Sequence, residues 1–130
     1  MAEKESVELF ESIHAGFPSP AEDIPGKSLD IKDLLIKNPA STFFARVQGE
    51  SMSGDGISDG DIIVIDKSEP ARDGSIAVCY IDGEFTVKRL EFHKDYILLK
   101  PSNEKYSPIK VTADNNLIVW GIVKFVIKKL

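Results

Sequence analysis

The run Ser75-Ile-Ala-Val-Cys-Tyr-Ile-Asp-Gly-Glu-Phe-Thr-Val-Lys-Arg-Leu-Glu-Phe92 reads as a β-hairpin. Both halves are rich in β-branched and aromatic residues. Asp82-Gly83 between them is a residue pair that tolerates the positive φ angles of a two-residue turn. The same strand-like composition continues on either side. Thr42–Val47 and Asp61–Asp66 precede the hairpin, and Tyr96–Lys100 and a long apolar stretch, Leu117–Leu130, follow it. Asp59-Gly60 and Asp73-Gly74 punctuate these runs. Short strands with a turn every 10 to 15 residues or so predict a mainly β fold, a curled and partly closed antiparallel sheet. No run is long enough for a βαβ crossover helix, and no repeat or heptad is present.

The first 40 residues have a different character. Val7-Glu8-Leu9-Phe10 is suited to start a helical turn, but Pro18, Pro20 and Pro25, with Gly16 and Gly26, break any continuing helix. Residues 1–28 therefore read as an extended N-terminal arm, and residues 29–130 as the β domain. Asp30 is placed to cap a short helix carrying Ile31, Leu34 and Leu35, which should stop near Asn38-Pro39 because the residue before proline is pushed out of the α region.

The chain has 130 residues, 42% hydrophobic and 28% charged, a composition that fills one core and is too apolar for a disordered chain. Apolar runs such as Ile62–Ile65 are far shorter than a membrane span, and the acidic N-terminus lacks the order of a signal peptide. A cytoplasmic protein with no membrane partner is expected. Cys79 is the single cysteine and so has no internal disulfide partner; with two histidines it makes a poor zinc site. No metal or cofactor is expected. The net charge of -5 is unevenly spread: residues 1–84 carry -10 and residues 85–130 carry +5. Affinity for nucleic acid rests on neutralising phosphates, so the acidic first part argues against direct sequence-specific DNA binding.

Most candidate chemistry is absent. There is no phosphate-cradling GKS/T or GxGxxG sequence. Asp55, Asp59 and Asp61 lack the flanking helices and closing glutamate of a calcium loop and read as solvated turn acids. His14 and His93 have no triad context and read as surface residues. Cys79, within a β run, reads as a buried inert thiol, and Trp120 as a core residue first and an interface residue second. Two positions stand out. In Gly49-Glu50-Ser51-Met52, a hydroxyl sits at a strand end where backbone amides can turn toward a carbonyl; by itself such a serine is ordinary turn chemistry. Lys88 shares a strand face with Thr86, Leu90 and Phe92, where partial desolvation would favour the neutral amine of a general base. By pattern alone it reads rather as a strand lysine that snorkels to water.

Taken together, these segments resemble the UmuD family, relatives of the LexA-type self-cleaving repressors that use a serine-lysine dyad. Ala15-Gly16-Phe17-Pro18-Ser19-Pro20 is similar to the family's self-cleavage site, and Gly49-Glu50-Ser51-Met52 to its nucleophile motif. Gly56-Ile57-Ser58-Asp59-Gly60-Asp61 resembles the turn that follows, Asp82–Lys88 the lysine hairpin, and Tyr106-Ser107-Pro108-Ile109 the segment before the final strands. One departure is Ala15, where the best-known UmuD proteins have cysteine and LexA-like chains have alanine.

The resemblance implies a LexA- and signal-peptidase-like β catalytic domain, dimeric, with an arm carrying the scissile bond. It implies Ser51 as nucleophile, Lys88 as base, Ala15-Gly16 as the cleaved bond, and the backbone N–H groups of Glu50 and Ser51 as oxyanion donors. It further implies a DNA-damage (SOS) response protein whose self-cleavage is stimulated by a RecA filament on single-stranded DNA. The trimmed homodimer would then join a UmuC-like polymerase subunit for translesion synthesis. The 35 residues from Gly16 to Ser51 span about 115 Å when extended, enough to reach the chain's own dyad or a partner's. Two other readings stay open: a polymerase-binding module that never cuts, and a regulator of the LexA or phage-repressor type without its DNA-binding domain. Signal peptidases share the chemistry but need a membrane anchor that this sequence does not show.

Overall fold

The computed structural model describes residues 6–10, 13, 15–16 and 26–130. The chain divides into two compact units, Met1–Lys37 and Asn38–Leu130. His14 and the Phe17–Pro20 part of the cleavage motif lie outside the described residues.

In the first unit, β1 (Val7–Leu9) pairs antiparallel with β2 (Lys27–Leu29), with Val7 opposite Leu29. The helical turn expected at Val7–Phe10 is therefore a strand. A lone helical turn is marginal in water, whereas Lys27–Leu29 offers a ladder for its backbone groups. Helix α1 (Ile31–Leu35) follows, and the Asp30 side chain caps it by accepting from the Lys32 N–H at 2.8 Å, as the sequence predicts.

The second unit is one seven-stranded sheet. Its strands are β3 (Thr42–Arg46), β4 (Ile62–Asp66), β5 (Ile76–Ile81), β6 (Glu84–Phe92), β7 (Ile97–Lys100), β8 (Ile109–Val111) and β9 (Leu117–Ile127). They lie in the order β3-β4-β9-β5-β6-β7-β8, with every pair antiparallel. The β5–β6 turn has φ of 47° at Asp82 and 89° at Gly83, with Ile81 opposite Glu84, as the Asp-Gly pair predicts. Strand β8, too short to show in the sequence pattern, is paired through β7.

The apolar C-terminal run is long because it serves two neighbours. Leu117–Ile122 pairs with β5, and Ile122–Ile127 pairs with β4. Register shifts between Val78 and Cys79 and between Val64 and Ile65 make bulges at each half, and bulges bend and twist the strand that carries them. Gly121 sits at one of them, where a Cβ would lie 2.4 Å from Ile65 Cγ2.

The curled sheet buries residues on both faces. Ala77, Cys79, Ile81, Leu90, Leu99, Val111 and Ile122 form one cluster. Met52, Ile57, Ile63, Ile65 and Val78 form the other. The second cluster takes two of its members, Met52 and Ile57, from the loop after β3, so hydrophobic burial fastens that loop to the sheet. Among the described residues no helix is long and apolar enough to cross a membrane.

Candidate active site

The loop between β3 and β4 is shaped by its glycines. Gly49, Gly56 and Gly60 have φ of 97°, 79° and 88°, in the left-handed region that L side chains rarely adopt. Between them a 3-10 turn, Ser53–Asp55, follows Met52, which is buried. Polar contacts complete the loop. The Gly49 N–H donates to Asp59 Oδ1 at 2.8 Å, and the Asp59 N–H donates to Glu50 Oε1 at 3.2 Å. Ser51 is thus held half-buried on a loop anchored by apolar contacts and by hydrogen bonds.

Lys88 approaches from β6. It lies opposite Ala77, so its side chain starts from the face that also carries Leu90 and Cys79, and the residue is only 6% exposed. Its Nζ donates to Ser51 Oγ at 3.0 Å, Thr86 Oγ1 at 2.6 Å and the Val87 carbonyl at 3.1 Å. Burial lowers the Lys88 pKa below the ordinary lysine value, against a smaller opposing effect of Cys79. A neutral amine has two N–H donors and one lone pair. With Thr86 and the Val87 carbonyl taking the two donors, the lone pair is free for the Ser51 hydroxyl.

Beside the pair lies a cleft of about 550 Å³ lined mainly by apolar side chains, including Val47, Met52, Ile63, Val78, Phe85 and Trp120, with Ser51 and Thr86 on its wall. Trp120 is half-buried; it packs against the second core cluster and meets Phe43 and Phe85 with ring centroids 5.4 and 6.1 Å away. Such a cleft suits an extended, weakly polar segment and partly excludes water from its wall.

The other singled-out residues are placed as follows. Ala15 and Gly16 are exposed in the first unit. The Glu50 and Ser51 N–H groups donate to no acceptor among the described residues. Burial pushes the Cys79 thiol up to about 11, so it is protonated at neutral pH and inert, as expected. His93 stacks on Tyr96 with centroids 4.4 Å apart and contacts Glu91. Asp55 pairs with Arg89 at 2.9 Å. Asp61 is not the solvated turn acid expected. It is 6% exposed, accepts from the Ser58 N–H and pairs with Lys128, because the distant C-terminal end of the chain runs past the turn. Among the described residues no group of three His, Cys, Asp or Glu side chains is arranged to hold a metal.

Sequence reasoning missed Ser102 and Asn103. The Ser102 N–H donates to the Ser51 carbonyl at 2.8 Å, and Asn103 Nδ2 donates to the Glu50 carbonyl at 2.9 Å. Nothing local marks two polar residues after β7 as neighbours of a loop 50 residues upstream.

A profile of the Peptidase S24-like family matches residues 8–124. The chain belongs to the peptidase S24 family. Among S24 relatives it is 41% identical over 116 residues to Protein ImpA of Salmonella typhimurium, covering 88% of this chain and 78% of that one. It is 43% identical over 115 residues to Protein SamA of Salmonella typhimurium (strain LT2), with 88% and 79% covered. These are UmuD-like proteins, as the sequence resemblance implies. The LexA repressor of Alcanivorax borkumensis is 41% identical over 119 residues, which cover 92% of this chain and 57% of the repressor. The S24 assignment makes the chain a peptidase of this family, and the antiparallel β architecture agrees with it.

Proposed function

We infer that this S24 chain is a self-cleaving serine peptidase of the DNA-damage response, in which Ser51 and Lys88 cut the Ala15-Gly16 bond of an N-terminal arm, residues 1–28. One observation carries the reading: a buried lysine amine, with its pKa lowered by desolvation, lies 3.0 Å from a serine hydroxyl on the wall of an apolar cleft. In the cleavage, neutral Lys88 takes the Ser51 proton as Oγ attacks the Ala15 carbonyl carbon. The oxyanion is received by the Glu50 and Ser51 N–H groups. Lys88 then gives its proton to the Gly16 nitrogen as the Ala15–Gly16 bond breaks. Water, giving a proton to Lys88, adds to the ester carbon; the bond to Ser51 Oγ breaks, Lys88 returns the proton to Oγ, and Ala15 is released as a carboxylic acid that ionises to solvent. The tether supplies the effective concentration, within one chain or across a dimer.

The same reading makes the protein cytoplasmic. A RecA filament on single-stranded DNA raises the population of the docked arm rather than supplying catalytic groups. The trimmed chain acts as a homodimer with a UmuC-like polymerase subunit. Exposed Phe125, Val126 and Ile127 on β9 support self-association. DNA contact is left to partners, consistent with the net charge of -5.

The test is to incubate purified protein with RecA, ATP and single-stranded DNA and to weigh the products intact. The expected product is a folded 115-residue fragment beginning at Gly16, absent from Ser51→Ala. A chain that stays at full length points instead to a binding module that never cuts, and a new terminus elsewhere overturns the assignment of the scissile bond.

A further inference from the structure

We propose that Asn103 is a positioning residue for the oxyanion site: by holding the Glu50 carbonyl, its side chain aims the Ser51 N–H at the reacting oxygen. The assignment rests on Ser51 being the nucleophile and names what orients the backbone around it.

The argument starts from the planarity of the peptide. In a trans peptide the C=O and N–H point in opposite directions, so whatever holds the Glu50 carbonyl also sets the direction of the Ser51 N–H. That carbonyl accepts from two donors, the Ser53 N–H at 3.1 Å and Asn103 Nδ2 at 2.9 Å. The next carbonyl, of Ser51, accepts from the Ser102 N–H at 2.8 Å. Both carbonyls are therefore turned toward the loop interior and the 102–103 segment. The Ser51 N–H faces the other way and has no acceptor among the described residues.

The Asn103 amide is itself held in one orientation. Its Oδ1 accepts from the Lys105 N–H at 2.9 Å, so Nδ2 faces the loop, where it also reaches Ser53 Oγ at 3.2 Å. The Gly54 N–H donates to the Ser102 carbonyl at 2.7 Å, and the Asp55 N–H donates to Ser102 Oγ at 3.0 Å. The approach is close enough that a Cβ on Gly54 would sit 2.2 Å from the Ser102 oxygen. Ser102 works largely through its backbone, which most substitutions leave in place. The contact of Asn103 is made by a side chain and can be removed alone.

A fluorophosphonate tests this without relying on self-cleavage. Ser51 Oγ attacks phosphorus, the P–O bond forms, fluoride leaves, the hydroxyl proton passes to Lys88, and the phosphoryl oxygen occupies the oxyanion site. The rate of labelling is followed by intact mass from neutral to alkaline pH, with melting temperature measured alongside. Asn103→Asp keeps the size but replaces the donor with an acceptor facing the Glu50 carbonyl. Asn103→Ala removes the donor altogether. Both should label about tenfold to a hundredfold more slowly than wild type, less than the loss of an oxyanion donor outright. In Asn103→Ala the midpoint of the alkaline rise should not move, because Lys88 and its neighbours are untouched; in Asn103→Asp the added negative charge can only shift it upward. Gly54→Ala, which pushes the 102–103 segment away while keeping the Asn103 amide itself, should slow labelling in the same direction.

Labelling of Asn103→Asp at the wild-type rate overturns the proposal. So does a loss in Asn103→Ala accompanied by a shifted midpoint, which would mean that the loop has collapsed around the dyad. If wild type is not labelled, or Ser51→Ala is labelled equally fast, the nucleophile assignment itself fails and the positioning role falls with it.

Discussion

Lys88 and Asp66 carry opposite charges and are buried to the same extent, each 6% exposed. Asp66, at the end of β4, accepts from Ser41 Oγ, Asn38 Nδ2, the Ser68 N–H and Ser68 Oγ, at 2.7 to 3.0 Å. These donors, Ser68 foremost, hold its carboxyl well below the usual carboxylate range. Lys88 meets only uncharged acceptors, Ser51, Thr86 and the Val87 carbonyl, so burial lowers its pKa. The contrast shows that burial alone does not make a reactive group. A carboxylate whose charge is met by four hydrogen bonds becomes a structural corner, whereas an amine without a counter-charge is shifted toward the form that can take a proton.

The largest expected effect separates the two sites by function. Ser51→Ala and Lys88→Ala should each slow self-cleavage by at least about a thousandfold while remaining folded, whereas Asp66→Asn should cleave at close to the wild-type rate. Intact mass and circular dichroism read both quantities. An Asp66→Asn protein that is folded but inactive would break the comparison.

The next effect is on pH. Protonated lysine cannot act as a base, so RecA-independent cleavage should rise about tenfold per pH unit until the folded pKa of Lys88 is passed, and then level off. The Cys79 thiol, pushed up to about 11 by burial, is another buried group that titrates at alkaline pH, and Cys79→Ala should keep the rise if Lys88 is the base. A rise that survives in Lys88→Ala would identify another titrating base.

Stability gives the complementary test. The Asp66 pKa is lower folded than unfolded, so its contribution is complete above the unfolded value of about 3.9 and is lost as pH falls toward the folded one. Asp66→Asn should therefore melt well below wild type at neutral pH, and the difference should shrink below about pH 4. Differential scanning calorimetry across acidic pH measures it. A gap that stays constant down to pH 2 would mean that the corner acts through packing rather than charge.

The smallest effect runs the other way. The Lys88 pKa is also lower folded than unfolded, so here too the unfolded chain binds more protons and wild-type stability rises with pH toward the unfolded value of about 10.4; the difference is that for Lys88 the charged form is the one that burial penalises. Lys88→Met, which removes a buried amine whose charged form burial disfavours, should stabilise the fold by about 1 kcal/mol at neutral pH. The gain should fade at alkaline pH. Urea titrations at pH 7 and 10 would show it, and a destabilised variant would mean that the three hydrogen bonds of Lys88 outweigh its desolvation.

Much of this was legible in the residues. Asp30 announced a helix cap, Asp82-Gly83 a hairpin, and the alternation of Thr86, Lys88 and Leu90 a shared face. Asp61 was misread because its partner, Lys128, is 67 residues away. Val7–Leu9 was misread because three residues do not distinguish a helical turn from a strand until the ladder partner is known.

The division between the two kinds of information is physical. Sequence by itself determined what depends on a few neighbouring residues: the strands through their composition, the turns through glycines that accept positive φ, and a serine on a loop after a strand. Tertiary structure alone decided which of those pieces meet. Ser51 and Lys88 are 37 residues apart, and they come within 3.0 Å because the sheet curls and two core residues, Met52 and Ile57, fasten the loop beneath it. The split of β9 between β4 and β5, and the hold of Asn103 on a carbonyl 53 residues upstream, are likewise properties of strand order and packing. Local steric preference reaches only a turn or two along the chain, while burial and hydrogen bonding act between whatever surfaces the completed sheet brings together.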